Sequence, residues 1–225
     1  MPASRPRAGQ RRSLLPAFAL IALMVVGGVV LVTVLPGVDL SGRRIPWVAL
    51  EAYRRAAQES RHLAAGCAVD WTVLAALGKV ESDHGRADGP RTLKADGTVT
   101  PPIMGPALDG SHGNRAIPDT DKGRLDGDPT WDHAVGPMQI IPTTWRELGR
   151  DGNGDGIKDP NNLYDAALTA AAHLCLREPG DYTHPVQLRR ALIAYNHSET
   201  YAEDVLRWIE TYRSMPPEEL PETTP

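Results

Sequence analysis

The alternation of hydrophobic and polar positions predicts a mainly helical protein. The run 71–81 is apolar at helical spacing, and Asp70 stands where an N-cap residue belongs. Other segments predict five more helices, four of which begin with a proline or an Asx residue. Their expected ranges are 46–63, 142–148, Asn162 or Asp165 to 176, 185–195 and 199–212.

One long stretch, 85–133, breaks this helical pattern. Glycine, proline and aspartate recur there, with Asp-Gly pairs beginning at 88, 96, 109 and 126. Loops longer than about 15 residues in a compact domain are usually functional or disordered. We expect a long irregular insert that forms a wall or lid over a binding groove, with disorder as the alternative.

The amino-terminal segment predicts a membrane anchor. An uncharged run, 13–38, is long enough at about 1.5 Å per residue to cross roughly 30 Å of hydrocarbon. We interpret it as an uncleaved, single-pass transmembrane signal-anchor; a cleavable signal peptide is the alternative. Basic residues normally stay cytoplasmic, so 1–12 is expected inside and everything after residue 40 outside the membrane. The basic residues of this tail are Arg5, Arg7, Arg11 and Arg12.

The remaining boundaries define one domain. A linker at 39–45 leads into a single domain at 46–213, and the polar, proline-rich end, 214–225, is expected to be disordered. In an oxidising compartment, Cys67 and Cys175 are expected to form a disulfide; two buried thiols are the alternative. A net charge of −4 without a long basic run argues against a nucleic-acid partner.

Glu81 is the candidate catalytic residue. On a helix it lies on the same stripe as Leu74 and Leu77, so an acidic group shares an apolar face. Burial disfavours the charged carboxylate, which raises the pKa and keeps the proton available for a leaving sugar oxygen. A glutamate that simply emerges into solvent where the helix ends is the alternative.

Three segments, in this order, resemble the motifs of lytic transglycosylases. They are 78–85 with its Glu-Ser pair, 134–145 (AVGPMQIIPTTW) and 194–201 (AYNHSETY). The resemblance extends over about 71–206, including 119–128, and is nearest to actinobacterial members of the membrane-bound lytic transglycosylase B type. It implies a lysozyme-like domain of the α+β class.

The resemblance also implies roles for residues in these motifs. Glu81 is the sole acid/base, and peptidoglycan glycan strands are the substrate. Cleavage of the MurNAc-GlcNAc β-1,4 bond forms a 1,6-anhydromuramyl end, and the chemistry needs no cofactor. A muramidase and a non-catalytic wall-binding module are the alternatives. The expected substrate-side residues are Ser82, which helps to hold the glutamate, Gln139, Tyr195 and Asn196.

Residues 151–162 (DGNGDGIKDPNN) match part of a calcium-binding loop. Acidic or amide side chains occupy positions 1, 3 and 5, with glycine at position 6 and asparagine in place of the bidentate glutamate at position 12. A structural Ca²⁺ is therefore expected, with an Asx- and glycine-rich turn without metal as the alternative. The expected ligands are Asp151, Asn153, Asp155, the Ile157 carbonyl and Asn162.

Overall fold

A computed structural model describes residues 24–26, 29–31, 41–87, 89–111 and 115–220. It divides into two compact units, Met1–Gly42 and Arg43–Pro225.

The first unit contains a short antiparallel pair of strands, β1 (Met24–Val26) and β2 (Val29–Leu31), and a 3-10 helix, Ser41–Arg43, begins at its end. Both strands fall inside the expected membrane span, 13–38, most of which lies outside the described residues, as does the basic tail. The span therefore stays a prediction. Among the residues that the structure describes, no helix is both long enough and apolar enough to cross a membrane.

The second unit is mainly helical, as the hydrophobic pattern predicted. Each predicted helix is present, with its ends shifted by at most a few residues. The helices are α1 (Trp47–Ser60), α2 (Trp71–Ser82), α3 (Pro142–Leu148), α4 (Leu163–Arg177), α5 (Pro185–Asn196) and α6 (Glu199–Ser214).

Side-chain caps determine where three of these helices begin. Asp70 accepts a hydrogen bond from the Thr72 amide at 2.9 Å, as expected for the N-cap of α2. Asn162 caps α4 in the same way, and Ser198 caps α6. Each cap satisfies an amide that the first helical turn would otherwise leave without a partner.

Helix α2 is the centre of the core. Every residue from 72 to 78 is buried, and the helix contacts α1, α4 and α6. Gly78 leaves room for Tyr53 of α1, because a Cβ atom there would lie 2.0 Å from the Tyr53 hydroxyl. A helix apolar on all sides is the pattern expected for a core helix.

The insert is ordered where it is described, and it contains two small antiparallel sheets. Strand β3 (Thr92–Leu93) pairs with β4 (Val99–Thr100), and β5 (Met104–Ala107) pairs with β6 (His133–Val135). Between β5 and β6, carboxylates supplement a few isolated backbone bridges, such as that between Pro118 and Trp131. Asp119 alone accepts hydrogen bonds from three amides of the following turn.

The carboxyl-terminal segment corrects an expectation. Residues 214–225 were expected to be disordered, but the chain up to residue 220 folds back onto the domain. Leu220 is only 3% exposed, and its carbonyl accepts a hydrogen bond from the Ile45 amide at 2.8 Å. An apolar side chain within the polar tail therefore secures it to the core; residues 221–225 lie outside the described part.

The disulfide between Cys67 and Cys175 is present, as predicted. It joins the segment between α1 and α2 to α4, with a Cα–Cα distance of 5.6 Å and a sequence separation of 108 residues. A cross-link over so long a loop restricts the unfolded chain strongly.

Replacing both cysteines by alanine should lower the free energy of unfolding by about 2–5 kcal/mol, because the unfolded chain regains the entropy of a long open loop. Denaturant unfolding curves of the oxidised chain and of the double variant measure this difference in the free energy of unfolding. Reductant should destabilise the parent and leave the variant unaffected. Equal midpoints for oxidised and reduced parent would show that the cross-link has no part in stability.

Candidate active site

Glu81 lies in the last turn of α2, and it lines a cavity of about 590 Å³. The cavity brings together residues from all three motifs noted in the sequence. Gln139, Tyr195 and Asn196 line it with Glu81. Other lining residues are Pro106, Arg115, Ile117, Ala134, Ile140, Ile141, Thr144, His173, Ala194, His197 and Ser198.

The environment of Glu81 favours the protonated carboxyl. Burial raises its pKa to about 7, and a hydrogen bond from the Tyr201 hydroxyl to Oε1 at 2.5 Å opposes part of this rise. Near neutral pH, both the acid and the carboxylate are thus populated. One group can therefore donate a proton and later accept one.

Tyr201 is a site residue for which the sequence predicted no role. The residue lies at the start of α6, is 9% exposed, and stacks on Tyr195 with a centroid distance of 6.4 Å and an interplanar angle of 3°. Its position at the end of the third motif was the signal available. Its partner, Glu81, lies far away in the sequence, so only the fold shows the contact.

Tyr195 connects two motifs. Its hydroxyl donates to the Met138 carbonyl at 2.9 Å, and its ring packs on His173 with centroids 4.9 Å apart. Burial lowers the pKa of His173 to about 4, so the imidazole is neutral at neutral pH. This wall of the cavity is therefore aromatic and carries no charge.

Ser82 is not placed as a substrate-binding residue. It is 1% exposed and does not line the cavity. Its hydroxyl donates to the Pro137 carbonyl at 2.7 Å and accepts from the Gly85 amide at 2.8 Å. Ser82 therefore acts as a positioning residue that joins the end of α2 to the second motif.

Gln139 adopts a left-handed backbone conformation, with φ of 46°. Its Nε2 atom donates to the Gly136 carbonyl at 3.0 Å. The side chain also passes close to Gly105, where an added Cβ would lie 2.6 Å from Oε1. An uncommon backbone conformation held by its surroundings is frequent at functional sites.

The end of α2 is held by a second buried group, His84. Its two ring nitrogens lie 3.1 Å from the Tyr53 hydroxyl and 3.0 Å from the Tyr212 hydroxyl. Burial holds the pKa of His84 well below its usual value, so the ring stays neutral. This contact fixes the helix end from which Glu81 projects.

Glu81 is the sole carboxylate among the described residues that line the cavity. Asp83 is the nearest in sequence, but it forms ion pairs with Lys79 and Arg86 outside the cavity. Its side chain is 37% exposed. It is not placed to act as a nucleophile opposite Glu81.

The insert forms one wall of the cavity, as expected for this segment. Pro106, Arg115 and Ile117 come from it, and residues of α4 and α5 line the same cavity. Arg115 is exposed and places a cationic side chain in the lining. No spacing or periodicity in the sequence distinguished these residues from the rest of the insert.

The expected calcium loop forms a tight turn held by its own carboxylates. Asp151 accepts hydrogen bonds from the Gly154 and Gly156 amides at 2.6 and 2.8 Å. Asp155 accepts from the Ile157 amide at 2.7 Å. Within the described residues, no three His, Cys, Asp or Glu side chains are grouped to hold a metal ion.

Asn162, expected as the twelfth-position ligand, instead caps α4. Its Oδ1 atom accepts from the Tyr164 amide at 3.0 Å, and its Nδ2 atom donates to the Asp96 carbonyl at 2.9 Å. Nearby Asp165 accepts from three backbone amides of the loop. The loop therefore has oxygen ligands at positions 1, 3, 5 and 7 and a carboxylate, Asp159, at position 9, but it lacks the bidentate glutamate of position 12.

No protein-family profile matches this chain, and no curated protein matches its sequence. Among solved structures, the chain is similar to the Escherichia coli lytic transglycosylase Slt35 in complex with bulgecin A. The two are 14% identical, the alignment covers 78% of this chain and 79% of that chain, and the TM-score is 0.42.

The Glu81→Gln variant should become more stable relative to the parent as the pH rises from about 4.5 to 7. The folded chain binds this proton more tightly than the unfolded chain, so the parent loses stability over that window. A pKa displaced from 4.5 to about 7 limits the gain to roughly 3 kcal/mol.

Denaturant melts at pH 5 and pH 8 test this, with Asp83→Asn as the control variant. A difference between parent and Glu81→Gln that is independent of pH would contradict the raised pKa.

Proposed function

We propose that this chain is a lytic transglycosylase with a lysozyme-like domain, of the membrane-bound lytic transglycosylase B type. It cleaves the MurNAc-GlcNAc β-1,4 bond of peptidoglycan in wall turnover or remodelling. The observation that carries the proposal is a lone carboxyl, Glu81, with a pKa of about 7, in a cavity lined by residues from three separate motifs.

The proposed reaction begins with protonated Glu81. The carboxyl gives its proton to the glycosidic oxygen, the bond from that oxygen to C1 breaks, and the leaving sugar departs with a free hydroxyl. The N-acetyl group of the muramyl residue stabilises the positive C1 centre. No second carboxylate of the protein is needed for this step, which agrees with the lining of the cavity.

The second step returns the proton. Glu81, now ionised, accepts the proton of the muramyl 6-hydroxyl while that oxygen forms a bond to C1. The product is a 1,6-anhydromuramyl end, and no water is consumed. A single carboxyl that changes from acid to base works best when its pKa lies near the working pH, as it does here.

Tyr201 supports the ionised state between these steps. Its hydroxyl donates to Oε1 of Glu81 and so stabilises the carboxylate that proton transfer leaves behind. The hydrogen bond and burial act in opposite directions on the same pKa. Their balance keeps Glu81 able to serve in both steps.

We further propose that the domain works outside the cytoplasmic membrane, anchored by 13–38 as a single-pass span. The Cys67–Cys175 disulfide supports an oxidising compartment. An anchored domain of this kind acts on glycan strands near the membrane surface.

A structural Ca²⁺ remains part of the proposal. Asp151, Asn153, Asp155 and the Ile157 carbonyl are the residues that would hold it, and its effect would be to fix the turn between α3 and α4. With Asn162 used as a helix cap, we expect weak binding and no role in the chemical steps.

The reaction itself is tested by incubating peptidoglycan with the whole chain in a non-ionic detergent. Mass spectrometry of the released muropeptides should show 1,6-anhydromuramyl ends for the parent. Glu81→Gln should lower the rate at least about a hundredfold, because general acid catalysis is lost. Asp83→Asn, which removes a neighbouring carboxylate outside the cavity, should keep activity.

Other outcomes separate the alternatives. Reducing muramyl ends from the parent would indicate a muramidase that admits water. No release by a folded parent, with calcium supplied, would indicate a wall-binding module instead of an enzyme.

Calcium binding is tested by thermal unfolding in millimolar Ca²⁺ and in chelator. We expect a higher melting temperature with Ca²⁺, since a ligand that binds only the folded chain stabilises it. Asp155→Asn should reduce that increase, and Mg²⁺ should not replace Ca²⁺. Identical melting in Ca²⁺ and chelator would mean that the turn works without metal.

A further inference from the structure

A second surface, distinct from the Glu81 cavity, surrounds Trp71 at the start of α2. Two cavities of about 370 and 400 Å³ both include Arg54, Asp70 and Trp71. Neither shares a lining residue with the cavity of Glu81. Trp71 and Glu81 are ten residues apart on one helix, which corresponds to about 15 Å along its axis.

This surface is cationic, although the chain as a whole carries a net charge of −4. Arg213 lines the smaller cavity, Arg61 lines the larger one, and Arg54 belongs to both. Asp70 is the sole acidic residue that lines either cavity in the described part of the chain. Its Oδ1 atom accepts from the amide and the hydroxyl of Thr72, and its single negative charge stands against three arginines.

The three arginines have no carboxylate partner of their own among the residues that the structure describes. Within the described residues, Arg54, Arg61 and Arg213 form no ion pair, whereas Arg189, Arg190 and Arg207 each pair with a carboxylate. Arg54 lies over the ring of Trp71, 5.5 Å from its centroid. The guanidinium groups of this surface therefore remain available to an outside anion.

A tryptophan ring bordered by guanidinium groups suits a saccharide that carries carboxylates. Trp71 lines both cavities and so offers apolar indole surface beside the Arg54 guanidinium. A guanidinium can bind a carboxylate through two parallel hydrogen bonds. Peptidoglycan has both features, because its sugars bear peptides that end in carboxylates.

We infer that the Trp71 surface, formed by Arg54, Arg61, Trp71 and Arg213, is an accessory binding site for carboxylate-bearing peptidoglycan. It holds a section of the wall apart from the section that enters the Glu81 cavity. The identity of this ligand rests on the proposed function. The site keeps the domain on its polymer while the catalytic cavity binds and releases strands.

The test measures co-sedimentation of the full-length chain with insoluble peptidoglycan, in a Glu81→Gln background so that the polymer stays intact. Reversing two charges of the surface, Arg61→Glu with Arg213→Glu, should weaken binding roughly tenfold, as expected for the loss of charge-assisted contacts. Added salt should reduce the difference, because these charges are exposed.

The matched control is Arg190→Glu with Arg207→Glu. The side chains of Arg190 and Arg207 are 75% and 72% exposed and lie outside both cavities. Their replacement changes the net charge by the same amount as the Arg61→Glu and Arg213→Glu pair. Melting curves confirm that each variant is folded. The control should sediment like its parent. Equal loss in both double variants would overturn the inference, because it would reflect total charge alone.

A second arm identifies the ligand chemistry. Amidating the carboxylates of the polymer should weaken binding of the parent. The parent and the Arg61→Glu, Arg213→Glu variant should then bind the amidated polymer equally. An advantage that survives amidation, or no binding by the parent, overturns the inference. Because Glu81→Gln is used throughout, sedimentation is independent of product analysis: charge-dependent binding without anhydromuramyl products refutes only the proposed reaction.

Discussion

The burial of α2 on all sides is the constraint on which this domain depends. Residues 72–78 are buried, and the helix packs against α1, α4 and α6. Its last turn carries Glu81 from that core into a cavity. The same apolar packing that stabilises the domain therefore raises the pKa of the carboxyl, and stability and chemistry have one physical cause.

Buried hydrogen bonds hold the three motifs together around that helix end. Ser82 binds the carbonyl of Pro137, and Tyr195 binds that of Met138, so the second motif is fixed from both sides. His84 adds a contact to two tyrosines of the core. A group that must donate and accept a proton needs such fixed surroundings, since small displacements change its contact with a substrate.

The polar segments are held by hydrogen bonds from backbone amides to carboxylates. In the insert and in the loop at 151–162, carboxylates such as Asp119 and Asp165 accept several backbone amides that no strand or helix satisfies. Amides left without partners would be costly, so aspartate replaces regular pairing. This explains why a stretch without periodicity is ordered and can form one wall of the cavity.

Local signals in the sequence determined the helices and the candidate acid. Asp70 as a cap, Pro142 and Pro185 at helix starts, and Glu81 on the stripe of α2 all act within a few residues. The partner of Glu81 lies 120 residues away, and Ser82, Asn162 and Leu220 contact residues that are equally hidden from local patterns. Periodicity and caps are short-range properties, whereas burial and hydrogen-bond partners depend on which distant segments meet. Only the tertiary structure decided those.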